Sequence, residues 1–439
     1  MRDGAIRMRP LPQPLEPGQP TMRAARWLAF AALGLSLAPS AEAATTLKLV
    51  EVITSPERTE TLKAIVKTFE DANPDVRVEI TSLPWGPSFE KFATMVAAGD
   101  TPDVVEMPDT WLALYVNNGA LESLEPYLKT WEHTAELNQR ALQLGRVIRN
   151  TAYMLPYGFY LRALYYNKKL FAAAGVSAPP KTLDEFVAVS KKVSSLPGKY
   201  GYCLRGGAGG VNAWMMFGAL GSGSDAYFKA DGSSTFTDAG WVKGFSALAD
   251  IYRSGLAPKD SVNWGYNDIV AGFYSGTCAM IDNDPDALIA IAERMKPDEF
   301  GVAPWIKGPS GKSFPTIGYS GWSMFANSKH KELAWKLIAT LDGVPGNLTW
   351  NRRIGALPIY TAAAKDPLYA DAKFKGWFDE LADPDVVPML MPTELRAWAL
   401  FASSIVPRTS QSLLLGQLTA SEMAQQWAQV MTKAKQSQK

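Results

Sequence analysis

The sequence predicts an α/β protein built as two lobes, and three observations carry that prediction. Strand and helix signals alternate, the pattern of a sheet flanked by helices. The alternation comes in two sets, one before residue 110 and one beyond residue 160. The chain is also long, 439 residues of which 47% are hydrophobic, whereas a single core stops growing near ~250–300 residues.

The first strand is expected at TLKLVEVI (46–53). Ser55-Pro56-Glu57 then marks a helix start: a capping hydroxyl, a proline in the first turn and an acid at the positive end of the helix dipole. Leu62, Ile65, Val66 and Phe69 share one apolar helix face, and Asn73-Pro74 stops the helix. Val76, Val78 and Ile80 alternate as a second strand. A second helix around Phe89 to Ala98 ends at Gly99-Asp100, and DVVEM (103–107) is a third strand. This β-α-β-α-β order opens a doubly wound sheet with right-handed crossovers. In the second set, Thr182 and Glu185 form a capping box before a helix whose inner face is Phe186, Val189 and Val193. Leu333, Leu337 and Leu341 mark another helix, ended by Gly343. Thr419 and Glu422 cap the last one, with Met423, Trp427 and Val430 inward. Two α/β sets imply a cleft between lobes, and ligands of open α/β sheets sit beyond the carboxyl ends of the strands.

The first residues differ from the rest. Arg23 and Arg26 precede the apolar run WLAFAALGLSLA (27–38), followed by the small-residue pattern Ala41-Glu42-Ala43. Residues 1–43 therefore read as a cleavable secretory signal, with Met22 as an alternative start. The run is shorter than the ~20 residues of a membrane span, and no Cys follows it to carry a lipid. Of 44 basic and 43 acidic residues, this leader holds Arg2, Arg7, Arg9, Arg23, Arg26, Asp3, Glu16 and Glu42, so 39 and 40 remain. A near-neutral chain has no basic excess for nucleic acid. The two cysteines, Cys203 and Cys278, admit either one disulfide in an oxidising compartment or two buried thiols.

Much catalytic chemistry is missing. The two histidines, His133 and His330, leave no zinc cluster of the His/Cys kind and little material for a Ser-His-Asp triad. RGGAGG (205–210) lacks the spacing and context of a phosphate loop and reads as a flexible turn beside a cleft. Asp282, Asp284, Asp286 and Glu293 occupy positions 1, 3, 5 and 12 of an EF-hand-like loop, but Ala287 replaces the glycine of position 6. They read instead as an acidic loop feeding a helix, or as carboxylates lining a cleft. No cofactor or metal is expected, and no reaction is expected to be catalysed.

Several motifs in order carry a resemblance. These are FEDANPDVRVEI, Gly99-x-x-Pro102-Asp103-Val104-Val105, LPYGFYLRALYYNKKLF followed by PPKTLDEF, GFYSGTCAMIDND, GYSGWSMFANSKHKELAWKLI and LLLGQLTASEM. Together they resemble the family 1 extracellular solute-binding proteins, the sugar-binding components of bacterial ABC importers, over nearly all of the chain after residue 45. The resemblance implies a type II periplasmic-binding-protein fold. Its lobes would comprise residues 44–158 plus 318–358 and 159–317 plus 359–439. It further implies a periplasmic monomer that binds a sugar or polyol and delivers it to ABC permease subunits. A Cys in YCLRGGAGG and another in GTCAM resemble the paired cysteines of the family's polyol and sugar binders. One departure is Asp286, which stands where maltose-type binders often carry a stacking Trp, and this argues against a long maltodextrin.

A sugar needs flat aromatics for its C–H face and directional polar groups for its hydroxyls. Asp109 and Trp111 follow the DVVEM strand, and Trp85 follows the VRVEI strand. Tyr160 and Arg162 lie in the first crossing, where Arg162 suits either a ligand or an interlobe salt bridge; Leu161, Leu164 and Tyr165 read as core. Asn212 and Trp214 flank the glycine-rich stretch, and Trp264, Tyr266, Asp282 and Asn283 come from the second lobe. Tyr319, Gly321, Trp322 and Arg353 complete the candidates. Arginines in the set admit an acidic or phosphorylated sugar. The alternative function is a secreted carbohydrate-active hydrolase with two carboxylates.

Overall fold

A computed structural model describes residues 44–362 and 366–438. The expected signal sequence lies outside the described residues. The described residues form two sheets. In the first, β1 (Thr45–Glu51), β2 (Val76–Ser82), β3 (Val104–Pro108), β4 (Leu155–Leu161), β9 (Thr316–Met324) and β10 (Leu357–Pro358) run in the order β10-β4-β9-β3-β1-β2, and β11 (Met389–Leu390) adds to β9. In the second, β5 (Ala163–Asn167), β6 (Tyr200–Tyr202), β7 (Cys278–Asn283) and β8 (Phe300–Ala303) run β6-β7-β5-β8.

The opening follows the expected β-α-β-α-β order. β1 pairs in parallel with β2 (Leu47 opposite Val78) and with β3 (Leu49 opposite Val104). Helix α1 (Pro56–Ala72) begins where Ser55 Oγ accepts the Arg58 N–H at 3.2 Å, and its buried residues include Leu62, Ile65, Val66 and Phe69. Helix α2 (Trp85–Ala97) starts four residues earlier than expected, directly after Pro84. Helix α3 (Asp109–Asn117) follows β3 with no intervening loop.

The expected caps later in the chain also form. Thr182 accepts from the Glu185 N–H at 3.2 Å, but Glu185 reaches back to Lys181 N, not to the cap residue itself. Thr419 and Glu422 make both legs of their box, at 3.2 and 2.8 Å. Met423 and Trp427 behind them are fully buried.

The chain passes from the first sheet to the second within three residues: β4 ends at Leu161, β5 begins at Ala163, and Arg162 stands between. It returns between β8 and β9. β9 is the spine of the first sheet, antiparallel to both β3 and β4. The two-residue β11 comes from the stretch that the resemblance places in the second lobe, yet it pairs with β9. Each sheet has its own cores. Trp322, Trp350 and Tyr157 pack beside the first sheet; Trp214, Trp241, Trp427 and Phe245 pack on the helical side of the second.

Candidate ligand-binding cleft

Between the sheets lies a cleft of about 670 Å³. Its walls are mainly loops and helix starts that follow strand carboxyl ends. Ile53–Arg58 follows β1, Trp85 follows β2, Asp109 and Thr110 follow β3, Arg205 follows β6, and Asp284 and Asp286 follow β7. Strand β9 contributes Ile317–Ser320, and β4 contributes Tyr160.

On the first lobe, Trp85 presents a ring to the cleft. Behind it Trp111, 2% exposed, stacks at 5.9 Å with only 4° between the planes. Phe89 and Phe92 back Trp111 in turn, at 5.5 and 6.1 Å. Trp111 thus holds the platform and does not line the cleft. Asp109 does line it; its carboxylate accepts the Thr110 N–H at 2.6 Å and the Tyr319 N–H at 3.4 Å. Burial pushes the Asp109 carboxyl up to about 7. Tyr319 also faces the cleft. Tyr160 offers its ring, because its hydroxyl donates to Tyr157 Oη at 3.0 Å behind the wall.

A buried network shapes this wall. Glu106 accepts from the Val52 and Ile53 N–H groups at 3.0 Å each, and from Arg58 Nη2 and Tyr157 Oη at 2.7 Å each. The Arg58 guanidinium lies 4.7 Å over the Trp350 ring. The 53–58 segment is thereby pinned, and the Arg58 charge is matched by Glu106.

On the second lobe, Arg162 lines the cleft but is already engaged. It donates to the Asp282 carbonyl oxygen at 3.1 Å, to Asp282 Oδ2 and, at 3.3 Å, to Asp284 Oδ2. This is an ion-paired cluster at the crossing. Asp282 also accepts from Tyr202 Oη, so it serves as a structural partner behind the cleft. Asn212 lines the cleft and bonds across the crossing, accepting from Thr316 Oγ1 at 2.9 Å. Tyr266 lines it with the Arg205 guanidinium 5.7 Å over its ring. Arg353 stands at the rim, bridging Glu293 of the second lobe at 3.3 Å and Glu57 of the first at 4.0 Å.

Seven candidates fall elsewhere. Besides Trp111 and Asp282, Trp214 is 1% exposed and packs edge-on to Phe245 and Trp427 in the core of the second lobe. Trp322 is buried against Tyr157 and Trp350. Asn283 is buried at the end of β7. Trp264 packs over the disulfide region, where a Cβ on Gly272 would meet its ring at 3.0 Å and Cys203 Sγ at 2.6 Å. Gly321 is required by packing, since a Cβ there would sit 2.1 Å from the Leu155 carbonyl oxygen.

Sequence reasoning missed Arg58, Glu57 and Arg205 as site residues, and met Asp284, Asp286 and Glu293 as an acidic loop that either feeds a helix or lines a cleft. All six line the cleft. A signal existed for one of them: Arg205 immediately precedes four glycines in six residues. The cysteines are bonded, with Cα atoms 5.4 Å apart. The bridge ties the start of β7 to the segment that leads into Arg205.

Against known proteins, the model of the bacterial extracellular solute-binding protein family matches residues 55–342, more than half of the chain. A binding protein of Brucella abortus is 27% identical over 396 residues, covering 89% of this chain and 94% of its own. The galactooligosaccharide-binding protein of Bacillus subtilis is 27% identical over 353 residues, covering 77% and 79%. Among solved structures, a solute-binding protein of Thermotoga lettingae bound with α-D-tagatose superposes with a TM-score of 0.77 at 24% identity, covering 89% of this chain and 99% of its own. The maltose-bound MalE3 of T. maritima gives 0.78 at 23%, covering 89% and 100%. The two-lobed α/β architecture is therefore shared with these structures, and by its sequence the chain belongs to the family 1 bacterial extracellular solute-binding proteins.

Proposed function

We propose that this protein captures one mono- or disaccharide or sugar alcohol in the interlobe cleft and hands it to the membrane permease of an ABC importer. It would work as a monomer in the periplasm, after removal of residues 1–43. The observation that carries the reading is the cleft itself. It takes residues from both lobes, it is lined by an aromatic platform at Trp85 and by polar groups at Arg205 and Asp286, and its volume of about 670 Å³ suits a small ligand. Curated relatives include proteins named for galactooligosaccharide, mannitol and maltotriose binding, which supports a carbohydrate or polyol cargo. Ligand contacts on two lobes favour a closed state by differential affinity, and that state is what a permease would recognise.

The test is a thermal-shift screen of residues 44–439 against sugars, alditols, sugar acids and sugar phosphates. A ligand at about 100 times its dissociation constant stabilises the fold by roughly 2.7 kcal/mol. The expected result is a hit among sugars or alditols, recovered unchanged. Conversion of the hit into product would instead establish the hydrolase alternative, and a flat screen would remove the carbohydrate reading.

A further inference from the structure

Five arginines line the cleft, and four already have carboxylate partners, Arg294 among them through Glu293 at 3.3 Å. Arg58 pairs with Glu106 at 2.7 Å, Arg162 with Asp282 and Asp284, and Arg353 with Glu293 at 3.3 Å. The fifth, Arg205, is 4% exposed, and among the described residues it has no ion-pair partner. Its Nε donates to the Ala208 carbonyl at 2.7 Å, which leaves both Nη atoms without a hydrogen bond to the described residues. The glycine-rich run is the seat of this side chain. Gly209 sits at φ +82°, and a Cβ there would lie 2.1 Å from Arg205 Nη2. A Cβ on Gly210 would lie 2.2 Å from the Arg205 carbonyl oxygen. The run therefore wraps its own arginine and aims it, where the sequence alone suggested a flexible turn.

Close by, Asp286 lines the same cleft, and its Oδ1 is shielded from solvent without a hydrogen-bond partner. An acceptor left in this state calls for a donor. A hydroxyl donates; a carboxylate or phosphate does not. The Arg205 Nη groups call for an acceptor, which a hydroxyl also provides. A carboxylate or phosphate drawn to Arg205 would leave Asp286 Oδ1 without a donor, and beside the Arg162 charge it would meet the carboxyl groups of Asp282, Asp284 and Asp286.

Resting on the sugar-capture reading, we propose that Arg205 and Asp286 form a hydroxyl-recognition pair on the second lobe, Arg205 Nη donating to and Asp286 Oδ1 accepting from hydroxyls of one uncharged sugar or alditol, so that the cleft selects neutral ligands over their acid and phosphate counterparts. Gly209 is a positioning residue for Arg205.

Titration calorimetry on residues 44–439 tests this, with mannitol, tagatose, galactose and maltose as neutral probes and gluconate, galacturonate and glucose 6-phosphate as charged ones. The neutral probe that binds best should bind at least 100-fold more tightly than any charged probe. Asp286→Asn should weaken that neutral probe tenfold or more and narrow the gap to the charged set, with the melting temperature held. Arg205→Lys should likewise weaken it tenfold or more. Gly209→Ala should weaken it while leaving the disulfide in place, with a lowered melting temperature from the strained positive φ. A charged probe that outbinds the neutral ones, or an Asp286→Asn variant with unchanged neutral affinity, overturns the pair. The two failures separate through Trp85→Ala. If a charged probe binds best and Trp85→Ala weakens it about tenfold, cleft capture stands and the pair falls; if no probe of either class binds, the capture reading falls and takes the pair with it.

Discussion

Trp85 and Trp214 have the same side chain and opposite duties. Trp85 is supported from behind by Trp111 and turned to the cleft, whereas Trp214 is enclosed by Phe245 and Trp427. Trp85→Ala should therefore lower ligand affinity about tenfold, ~1.4 kcal/mol, with little change in melting temperature. Trp214→Ala should cost ~3–5 kcal/mol of stability while any folded fraction keeps its affinity. Calorimetric titration and chemical denaturation of the two variants check this, and exchanged phenotypes would contradict the assignment. Sequence could not separate the two. Trp214 lies on a helix, Val211–Ser222, whose residues 213–220 are all buried, so no polar face marks an inside and an outside. What encloses it comes from positions as distant as 427. Arg162 was ambiguous for a similar reason: its partners Asp282 and Asp284 are 120 and 122 residues away.

Elements were legible where their signals are local. The cap at Ser55, the apolar face of α1 and the box at Thr419 are each set by residues within one or two turns, and each forms. Strands β10 and β11, two residues each, carry no such signal; tertiary pairing with β4 and β9 defines them. The π-helical turn Phe401–Ile405, which buries Phe401 and Ala402, carries no local signal either. The disulfide joins elements 75 residues apart, and a loop of that length gives a cross-link worth about 4 kcal/mol in the chain-entropy account. Cys203→Ser with Cys278→Ser should lower the unfolding free energy by about that amount in urea denaturation. It should also weaken ligand binding, because the bridge lies two residues before Arg205 and four before Asp282. A double variant as stable as the parent would show that the bridge does not constrain the unfolded chain.

For the whole molecule, the notable property is the charge stored around the cleft. Burial, with help from Glu106, raises the Glu51 carboxyl to about 7. Burial does the same for Asp109, and burial with the Asp284 charge does so for Asp286. In the unfolded chain these carboxyls titrate near ~4. Between the two values the folded state holds more protons, so their contribution to stability is complete below ~4 and is lost as pH rises through about 7. The ligand-free melting temperature should accordingly fall from pH 5 to pH 8 in scanning calorimetry; a rise over that window would contradict the burial of these groups. Across the rim, Arg353 with Glu293 and Glu57 is part-exposed, and such pairs contribute ~0–1 kcal/mol. That is too little to hold the lobes together unaided.

The most direct measurement is a crystal structure of residues 44–439 with the screened hit. The ligand should lie between the Trp85 ring and Arg205, within hydrogen-bond distance of at least one group from each lobe. Density for the ligand outside this cleft, or contacts to one lobe alone, would contradict the account.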